Sequence, residues 1–237
     1  MKISIIIPAR NERENLPILI DRILNKIKEH HLESEIILVD DCSSDSTSEI
    51  CDSFAKKYNF IFALHRNKNP GMGNALKDGT KLANGEIIIW IMADLSDDLN
   101  TIPKFLEKIS NGYDMIFASR YIKGGSPGDL SLFKTFLSME FAVLSRMFIG
   151  IYVHDITNAY RAFKKEVFNS INLTSDDFAI SPEFALKAYL SGFKLGEVPT
   201  TYHNRKKGVA KFRMFKMGIR YFKIFLKIFI QKLESKF

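Results

Sequence analysis

The stretch IIIWIMADLSDD, residues 87–98, joins six consecutive apolar residues to a cluster of acids with almost no transition. An apolar run of this length is typical of a buried strand. Asp94, Asp97 and Asp98 follow at its end, and open α/β sheets bind ligands at the carboxyl ends of their strands. Asp and Ser also form turns and helix caps. The stretch alone therefore leaves two interpretations open, a solvated turn or a site for a cation or nucleotide.

The N-terminal half of the chain repeats this alternation of short apolar runs with amphipathic segments. The apolar runs are KISIIIP (2–8), EIILVD (35–40), FIFALH (60–65), EIIIWIM (86–92) and YDMIFAS (113–119). Strict strand–helix alternation predicts right-handed crossovers and an α/β fold with a parallel, doubly wound sheet. After residue 119 the regularity stops. An apolar helical stretch at about 131–151 and a helix at 181–192 then precede the strand-like KLGEVPTTYH (194–203).

Composition favours a single large folded unit. With 46% hydrophobic residues in 237, the chain can bury a sizeable core. Its two cysteines, Cys42 and Cys51, form no CxxC motif, and the first residues do not resemble a secretory leader. We therefore expect a reducing, cytoplasmic setting in which both thiols are structural.

Charge is distributed unevenly along the chain. Residues 203–237 contain 11 Lys and Arg and one acid, a net charge of +10, whereas the first 202 residues carry 23 basic and 26 acidic residues, a net charge of −3. A basic tail on a weakly acidic body is suited to phosphate, whether in nucleic acid, a lipid headgroup or a nucleotide.

The tail also has the periodicity of an amphipathic helix. In residues 212–237 apolar side chains recur every three or four positions and lysines occupy other faces. A basic amphipathic helix suits a membrane interface, and a terminal helix packed on its own domain is the alternative. No run reaches the ~18 uncharged apolar residues of a spanning helix. We therefore treat 1–211 as the domain and 212–237 as a basic amphipathic helix at the membrane surface. We expect that removing 217–237 releases the protein from anionic vesicles while leaving Arg205 and Lys211 in place for donor binding.

Other motifs also occur at the ends of predicted elements. They are PARNERENL (8–16), LVDDCSSDST (38–47), GMGNALKDG (71–79), ASRYIKGG (118–125), DITNAYRAF (155–163) and HNRKKGVAK (203–211). The glycines of the third do not have GxGxxG spacing, so we interpret it as a turn into a helix near the site. With MADLSDD (92–98), these motifs resemble the family 2 glycosyltransferases of GT-A fold, and within them the polyprenol-phosphate sugar synthases, whose best-known type is dolichol-phosphate mannose synthase. The resemblance covers roughly residues 3–216.

The resemblance implies a nucleotide pocket on the first two loops. Pro8, Arg10 and Glu12 would line it, and Val39 and Asp41 would contact the nucleoside. Arg10 stands where the family commonly has Tyr, and a guanidinium plane can also stack. Without the resemblance, these stretches could equally be a charged helix start and a turn with a helix cap.

The resemblance also implies a divalent cation, Mg²⁺ or Mn²⁺. The family's Asp-x-Asp pair aligns with Met92-Ala93-Asp94, so the first acid is missing. A thioether is a poor ligand for a hard cation. Asp94 is left as the matching metal ligand, with Ser96 and the acids Asp97 and Asp98 as candidates to assist.

Basic residues in two motifs match family positions that bind the donor. Arg120 ends the fifth predicted strand, and Arg205 and Lys211 lie six residues apart in a loop that would close over the nucleotide. We expect catalysis to depend on Asp94, Arg120 and Arg205, with Ala93 and Ser96 beside the substrate. Asp155 and Arg161 are interpreted as site-wall residues. A solvated basic loop is the alternative for 205–211.

The implied reaction is the inverting transfer of a sugar from a nucleotide-diphosphate sugar to a polyprenyl phosphate, dolichyl or undecaprenyl, at the cytoplasmic face of a membrane. A membrane-protein partner is compatible with this setting, and nucleic acid is not an expected partner. Two alternatives stay open. One keeps the donor but uses a glycan or protein hydroxyl as acceptor, with Asp97 or Asp98 as the base. The other is a degenerate protein that binds sugar nucleotide without turnover.

Overall fold

A seven-stranded sheet forms the centre of the molecule in the computed structural model, which describes residues 1–204 and 214–234. Its strand order is β3-β2-β1-β4-β6-β5-β7. The strands are β1 (Ile3–Ala9), β2 (Ser34–Asp41), β3 (Ile61–Arg66), β4 (Ile87–Trp90), β5 (Met115–Ser119), β6 (Arg161–Lys164) and β7 (Leu195–Pro199). β6 runs antiparallel to both neighbours, and the other pairs are parallel. The predicted α/β class with a mostly parallel sheet is confirmed.

Helices cover both faces of the sheet. They are α1 (Leu16–Glu29), α2 (Thr47–Lys57), α3 (Met72–Leu82), α4 (Ile102–Ser110), α5 (Leu132–Ile149), α6 (Lys165–Asn169), α7 (Ile180–Leu190) and α8 (Met214–Glu234), with a 3₁₀ turn at Leu99–Thr101. One apolar layer packs α1 and α4 against the sheet. The second packs α3, α7 and α8 against the opposite face.

The central strands are buried on both faces, which explains their continuous apolar runs. Trp90 fills the second layer, where its ring centroid lies 5.1 Å from that of Phe163 and 5.3 Å from that of Phe184. Its indole N–H donates to the Thr80 hydroxyl over 2.9 Å. This aromatic cluster fixes the strand that leads into Asp94.

β6 was not predicted as a strand. The motif DITNAYRAF was interpreted as a wall of the site, yet its last residues form a strand inserted between β4 and β5. Ala162 and Phe163 are fully buried, Ala162 in the first apolar layer and Phe163 in the second, on opposite faces of the sheet. Four residues are too few to show a period, so no strand could be predicted here from the pattern of residues.

Helices α5 and α8 pack against each other. α5 ends at Ile149, close to the predicted end near 151. The next residue, Gly150, has a φ of +90°, a left-handed conformation that favours glycine. On α8, Phe225 contacts the rings of Phe141 and Phe148, and Met217 and Ile228 are also buried. No helix within the described ranges is both long and apolar enough to cross a membrane. The predicted boundary at 211/212 lies outside the described residues.

Candidate active site

Four loops with unusual backbone geometry lie at one edge of the sheet. Asn11, Cys42, Asn69 and Leu95 have φ values of +53°, +57°, +51° and +66°, and they follow β1, β2, β3 and β4 respectively. Non-glycine residues in this region are strained, and such strain concentrates at functional sites. Because these strands are parallel, the four loops share the edge at which α/β sheets bind ligands.

The first two loops are joined by polar contacts that the sequence did not predict. The Asn11 amide donates to the Ser43 hydroxyl over 3.0 Å, and the Ser44 amide donates to the Asn11 side-chain carbonyl over 2.8 Å. The Glu12 amide donates to the Thr47 hydroxyl over 2.8 Å. The loop after β1 and the loop after β2 therefore form one continuous wall.

On the β1 side of this wall, Pro8 and Arg10 are half-buried and Glu12 is buried. A Glu12 carboxylate oxygen accepts a 2.6 Å hydrogen bond from the Asn15 side-chain amide. This bond fixes the carboxylate at the start of α1, and the nucleotide contacts of Pro8, Arg10 and Glu12 stay predictions.

On the β2 side, both oxygens of Asp41 have partners. Oδ2 accepts the Gly71 amide over 2.7 Å, and Oδ1 forms an ion pair with Arg66. Asp41 thus connects the second loop to the start of α3. The Val39 side chain is fully buried beneath Gly79, so a nucleoside contact from Val39 is restricted to its backbone.

The loop after β4 carries the acids of the opening stretch. Ala93 is buried, and half-buried Asp94 accepts the Ser96 amide over 3.1 Å. The Met92 amide donates to Asp97 Oδ2 over 2.8 Å. Burial raises the pKa of Asp97 to about 8; the Met92 hydrogen bond opposes the rise and the neighbouring charge of Asp94 adds to it. Asp94 and Asp97 are therefore close enough to interact electrostatically.

The loop after β4 offers oxygen atoms that could bind a divalent cation. Among the described residues, no group of three or more His, Cys, Asp or Glu side chains is arranged to hold a metal ion. Met92 packs partly against the second apolar layer, as a thioether would. The carboxylates of Asp94 and Asp97 and the Ser96 hydroxyl are nevertheless hard oxygen donors. They fit a cation that takes its remaining ligands from a diphosphate.

Arg120 is fixed at the end of β5 by a buried carboxylate. Asp155 accepts its Nε over 2.7 Å, its Nη2 over 2.8 Å and its backbone amide over 3.0 Å. Burial disfavours the charge, but Asp155 outweighs it and raises the pKa of Arg120. Glu197 in turn accepts the Asp155 amide over 3.3 Å. The guanidinium carbon of Arg120 also lies 5.2 Å from the Tyr121 ring centroid and 6.0 Å from that of Tyr202.

Arg161 does not line the site, which corrects its interpretation as a wall residue. It is fully buried, donates to the Ser181 carbonyl over 3.0 Å and lies 4.8 Å from the Phe117 ring centroid. Burial lowers its pKa to about 9. Arg161 therefore connects β6 to the start of α7, while Asp155 from the same motif reaches the site through Arg120.

Arg205 and Lys211 lie outside the described residues. The chain before them is fixed, because the His203 amide donates to the Ser96 carbonyl over 3.0 Å. His203, two positions before Arg205 in the sequence, therefore lies directly beside the Asp94 loop. Both predicted roles remain predictions.

Residues 4–171 match the family model described as Glycosyl transferase family 2. The chain belongs to this family. It is 34% identical over 215 residues to the dolichol-phosphate mannosyltransferase of Pyrococcus furiosus, covering 90% of this chain and 60% of that protein's length. It is 32% identical over 214 residues to the polyprenol monophosphomannose synthase of Mycolicibacterium smegmatis, covering 87% of this chain and 79% of the relative.

Solved structures of other glycosyltransferases share the fold. Mannosyl-3-phosphoglycerate synthase from Rubrobacter xylanophilus superposes with a TM-score of 0.73 at 16% identity, covering 100% of this chain and 75% of its own. Glucosyl-3-phosphoglycerate synthase from Mycobacterium tuberculosis, crystallised with Mg²⁺ and UDP, gives a TM-score of 0.72 at 15% identity, covering 96% and 79%. The GT-A fold predicted from the motifs is confirmed.

Proposed function

We propose that this glycosyltransferase moves a sugar, with inversion, from a nucleotide-diphosphate sugar to a polyprenyl phosphate. The observation that carries the proposal is the position of α5. Its exposed apolar face begins twelve residues after Arg120, and its Ser138 hydroxyl hydrogen-bonds over 2.6 Å to Thr157, two residues from Asp155. An apolar acceptor chain and the donor charges can thus meet at Arg120. The names of the two curated relatives support this acceptor class.

The donor would occupy the wall formed by the first two loops. Glu12 and Asp41 are held there by hydrogen bonds before any ligand arrives. Arg120, with Arg205 and Lys211, would stabilise the charge that develops on the diphosphate leaving group. Of these, Arg120 is already held in place by Asp155 and needs no reorganisation during the reaction.

A bound Mg²⁺ or Mn²⁺ would neutralise charge on the diphosphate oxygens. Asp94 would hold it, with oxygen ligands available from Ser96 and Asp97. Asp97 would supply the carboxylate that position 92 lacks. The protein's part is to keep these oxygens beside the Ala93 backbone at the end of β4.

The acceptor phosphate would be its own nucleophile. A phosphate monoester has a second pKa near 6 and is charged at neutral pH, so no side-chain base is required. A hydroxyl acceptor would need one, for which Asp97 or Asp98 would be the candidate. The phosphate acceptor therefore requires less of the site than a glycan or protein hydroxyl would.

The site would operate at the cytoplasmic face of a membrane. The outer faces of α5 and α8 expose apolar side chains that no described element covers: Leu132, Phe133, Phe136, Met139, Val143, Met147, Ile219, Phe222, Leu226, Ile230 and Leu233. We call this set the apolar surface. Lys223 and Lys227 are exposed on α8 and can contact anionic headgroups. A peripheral protein with this surface would meet polyprenyl phosphate in the bilayer.

A donor and acceptor screen tests the proposal. UDP- and GDP-sugars are incubated with Mn²⁺ and a short polyprenyl phosphate, and products are detected by mass spectrometry. We expect a glycosylated lipid phosphate. The matched polyprenol, which lacks the phosphate, should give none. Product on a glycan or protein hydroxyl instead would replace the acceptor, and donor binding without any product would favour the degenerate protein.

A further inference from the structure

One residue of α8, Arg220, connects the C-terminal helix to a loop on the domain. The α6–α7 loop, residues 170–179, presents Asp176 and Asp177 to α8. Arg220 Nη1 donates to Asp176 Oδ1 over 2.6 Å and also to Asp177 Oδ2. The neighbouring Tyr221 hydroxyl donates to the Phe178 carbonyl over 3.4 Å. The guanidinium therefore holds together two adjacent carboxylates that would otherwise repel.

The base of this loop is fixed from the other side by α7. Glu183 accepts the Thr174 amide over 2.9 Å and the Ser175 amide over 2.7 Å. Burial works against its charge, yet hydrogen bonds from Lys187, Thr174 and Ser175 lower the pKa of Glu183 to about 2. A loop held at its base can move chiefly at Asp176 and Asp177, where Arg220 holds it.

The same two residues pack against the start of α3. Gly71, which precedes α3, has no side-chain cap, and the Asp176 carbonyl accepts the Asn74 amide over 3.3 Å. A Cβ at Gly71 would lie 2.1 Å from the Asp176 carbonyl oxygen, and one at Gly73 would lie 2.8 Å from the Asp176 carbonyl carbon. Contact this close means that a displacement of Asp176 displaces the first turn of α3.

The start of α3 is in turn bonded to the donor pocket. The Gly71 amide donates to Asp41 Oδ2 over 2.7 Å, and Asp41 is held from the other side by Arg66. A continuous series of contacts therefore runs from Arg220 through Asp176 and Gly71 to Asp41.

We infer that Arg220 is a positioning residue of the donor pocket, acting through Asp176, Asp177 and the first turn of α3. The assignment of that pocket to a nucleotide rests on the proposed function. The inference adds to the expectation from the sequence for a chain without 217–237, which would keep Arg205 and Lys211 for donor binding but would lose Arg220. Truncation would also remove Met217, Phe225 and Ile228 from the core, so point variants are the cleaner test.

Arg220→Gln is the primary variant, with Lys223→Gln as its matched control. Both remove one positive charge from α8, but Lys223 is exposed and has no ion pair among the described residues. The Arg220 pair is also partly exposed, its side chain 39% accessible. Such pairs contribute little to global stability, so the variant should fold. Asp176→Asn/Asp177→Asn removes the same contact from the loop side.

Hydrogen exchange of the Gly71 and Asn74 amides is the direct readout. We expect exchange about tenfold faster in Arg220→Gln and in the double Asn variant, because losing the contact lowers the local opening free energy. Lys223→Gln should match the wild type, and Arg220→Lys should recover part of the protection. Unchanged exchange in Arg220→Gln overturns the inference.

Calorimetry with UDP and with GDP, each with Mn²⁺, gives the second readout. We expect Arg220→Gln to weaken binding of the preferred nucleotide at least threefold relative to Lys223→Gln. Equal affinities for these two variants would overturn the inference. If the wild type bound neither nucleotide, the proposed function would fail instead, and the exchange measurement would still decide whether Arg220 positions the first turn of α3.

Discussion

At the scale of single residues, Asp94 is the carboxylate on which the proposed reaction depends most. We expect Asp94→Asn to lower turnover by at least about a hundredfold, because lost stabilisation of leaving-group charge is worth several kcal/mol and each ~1.4 kcal/mol is tenfold. Steady-state rates with saturating donor and Mn²⁺ measure this. Asp21→Asn, an exposed acid on α1, is the control. Near-normal turnover in Asp94→Asn would remove Asp94 from the mechanism.

Position 92 offers a gain-of-function test at the same loop. Met92 is half-buried, two residues after the end of β4 and two residues before Asp94. A carboxylate at position 92 would therefore lie in the same loop as Asp94. We expect Met92→Asp to tighten Mn²⁺ binding about tenfold or more, since a hard oxygen replaces a thioether. Calorimetry compares it with Met92→Asn, which has similar size without the charge. If Asp and Asn bound Mn²⁺ equally, the loop would not be arranged for a cation.

The raised pKa of Asp97 predicts how the free energy of unfolding depends on pH. Its pKa is raised to about 8 in the folded protein, so between its unfolded value of about 3.9 and pH 8 the folded state holds a proton that the unfolded state has lost. This contribution to the free energy of unfolding therefore falls as pH rises through that window. We expect Asp97→Asn to flatten the decline, because Asn keeps an acceptor for the Met92 amide. Urea unfolding without metal at pH 5, 6.5 and 8 measures it, and parallel slopes would contradict the pKa shift.

Residue-level prediction from sequence succeeded where one motif lies on one loop and failed where two loops meet. The acids of residues 92–98 were placed correctly after β4, since strand and loop are contiguous in the chain. The contacts of Asn11 with Ser43 and Ser44 were not predicted, because they depend on how the β1 and β2 loops lie against each other. The Arg120–Asp155 pair was missed for the same reason: the residues were assigned individually and their 35-residue separation carries no local signal.

At the scale of elements, the α6–α7 loop is a test of how one buried carboxylate orders a segment. Glu183→Gln should destabilise the protein by about 1.5–3 kcal/mol, the usual range for hydrogen bonds to a charged group. Because the pKa of Glu183 is lowered to about 2, its contribution is present above pH 4.5 and is lost as pH falls towards 2. Urea unfolding at pH 7 and pH 3 measures both effects. Glu166→Gln on α6, largely exposed, is the control.

Element prediction failed chiefly at β6. The alternation rule assumes that each apolar run of sufficient length is a strand and that successive strands are parallel neighbours. Four residues inserted antiparallel between β4 and β5 break both assumptions. The long central strands, whose Ile-rich runs are buried on both faces, were predicted correctly because burial there leaves a continuous apolar signal.

At the scale of the whole molecule, α8 packs on the domain with one side and leaves an apolar side exposed, so the membrane interpretation of its sequence stays a prediction. One side carries Phe225 and Ile228 into the second apolar layer, and the other side continues the apolar surface of α5. Amphipathic spacing could not separate packing from membrane binding, since both need apolar residues every three or four positions. Only the neighbouring helix decides which face is covered.

The apolar surface predicts membrane binding that exposed substitutions should abolish. Phe136 on α5 and Phe222 on α8 are 57% and 54% accessible, so Phe136→Asp and Phe222→Asp can remove apolar contact without disturbing the core. Burying a Phe is worth ~1.5–3 kcal/mol, so each change should lower partition into anionic vesicles by about tenfold or more. Flotation at low and high salt measures this, and high salt should weaken the wild type through its lysines.

Phe62→Asp is the matched control for this prediction, because Phe62 is 46% accessible on the edge strand β3. It introduces the same charge and removes a similar exposed ring, so it should float like the wild type. Equal flotation of all three variants would mean that charge alone binds the protein to vesicles. If the wild type failed to float at low salt, the apolar surface would not bind anionic vesicles. The proposal of a polyprenyl phosphate acceptor would then rest on the family relationship alone.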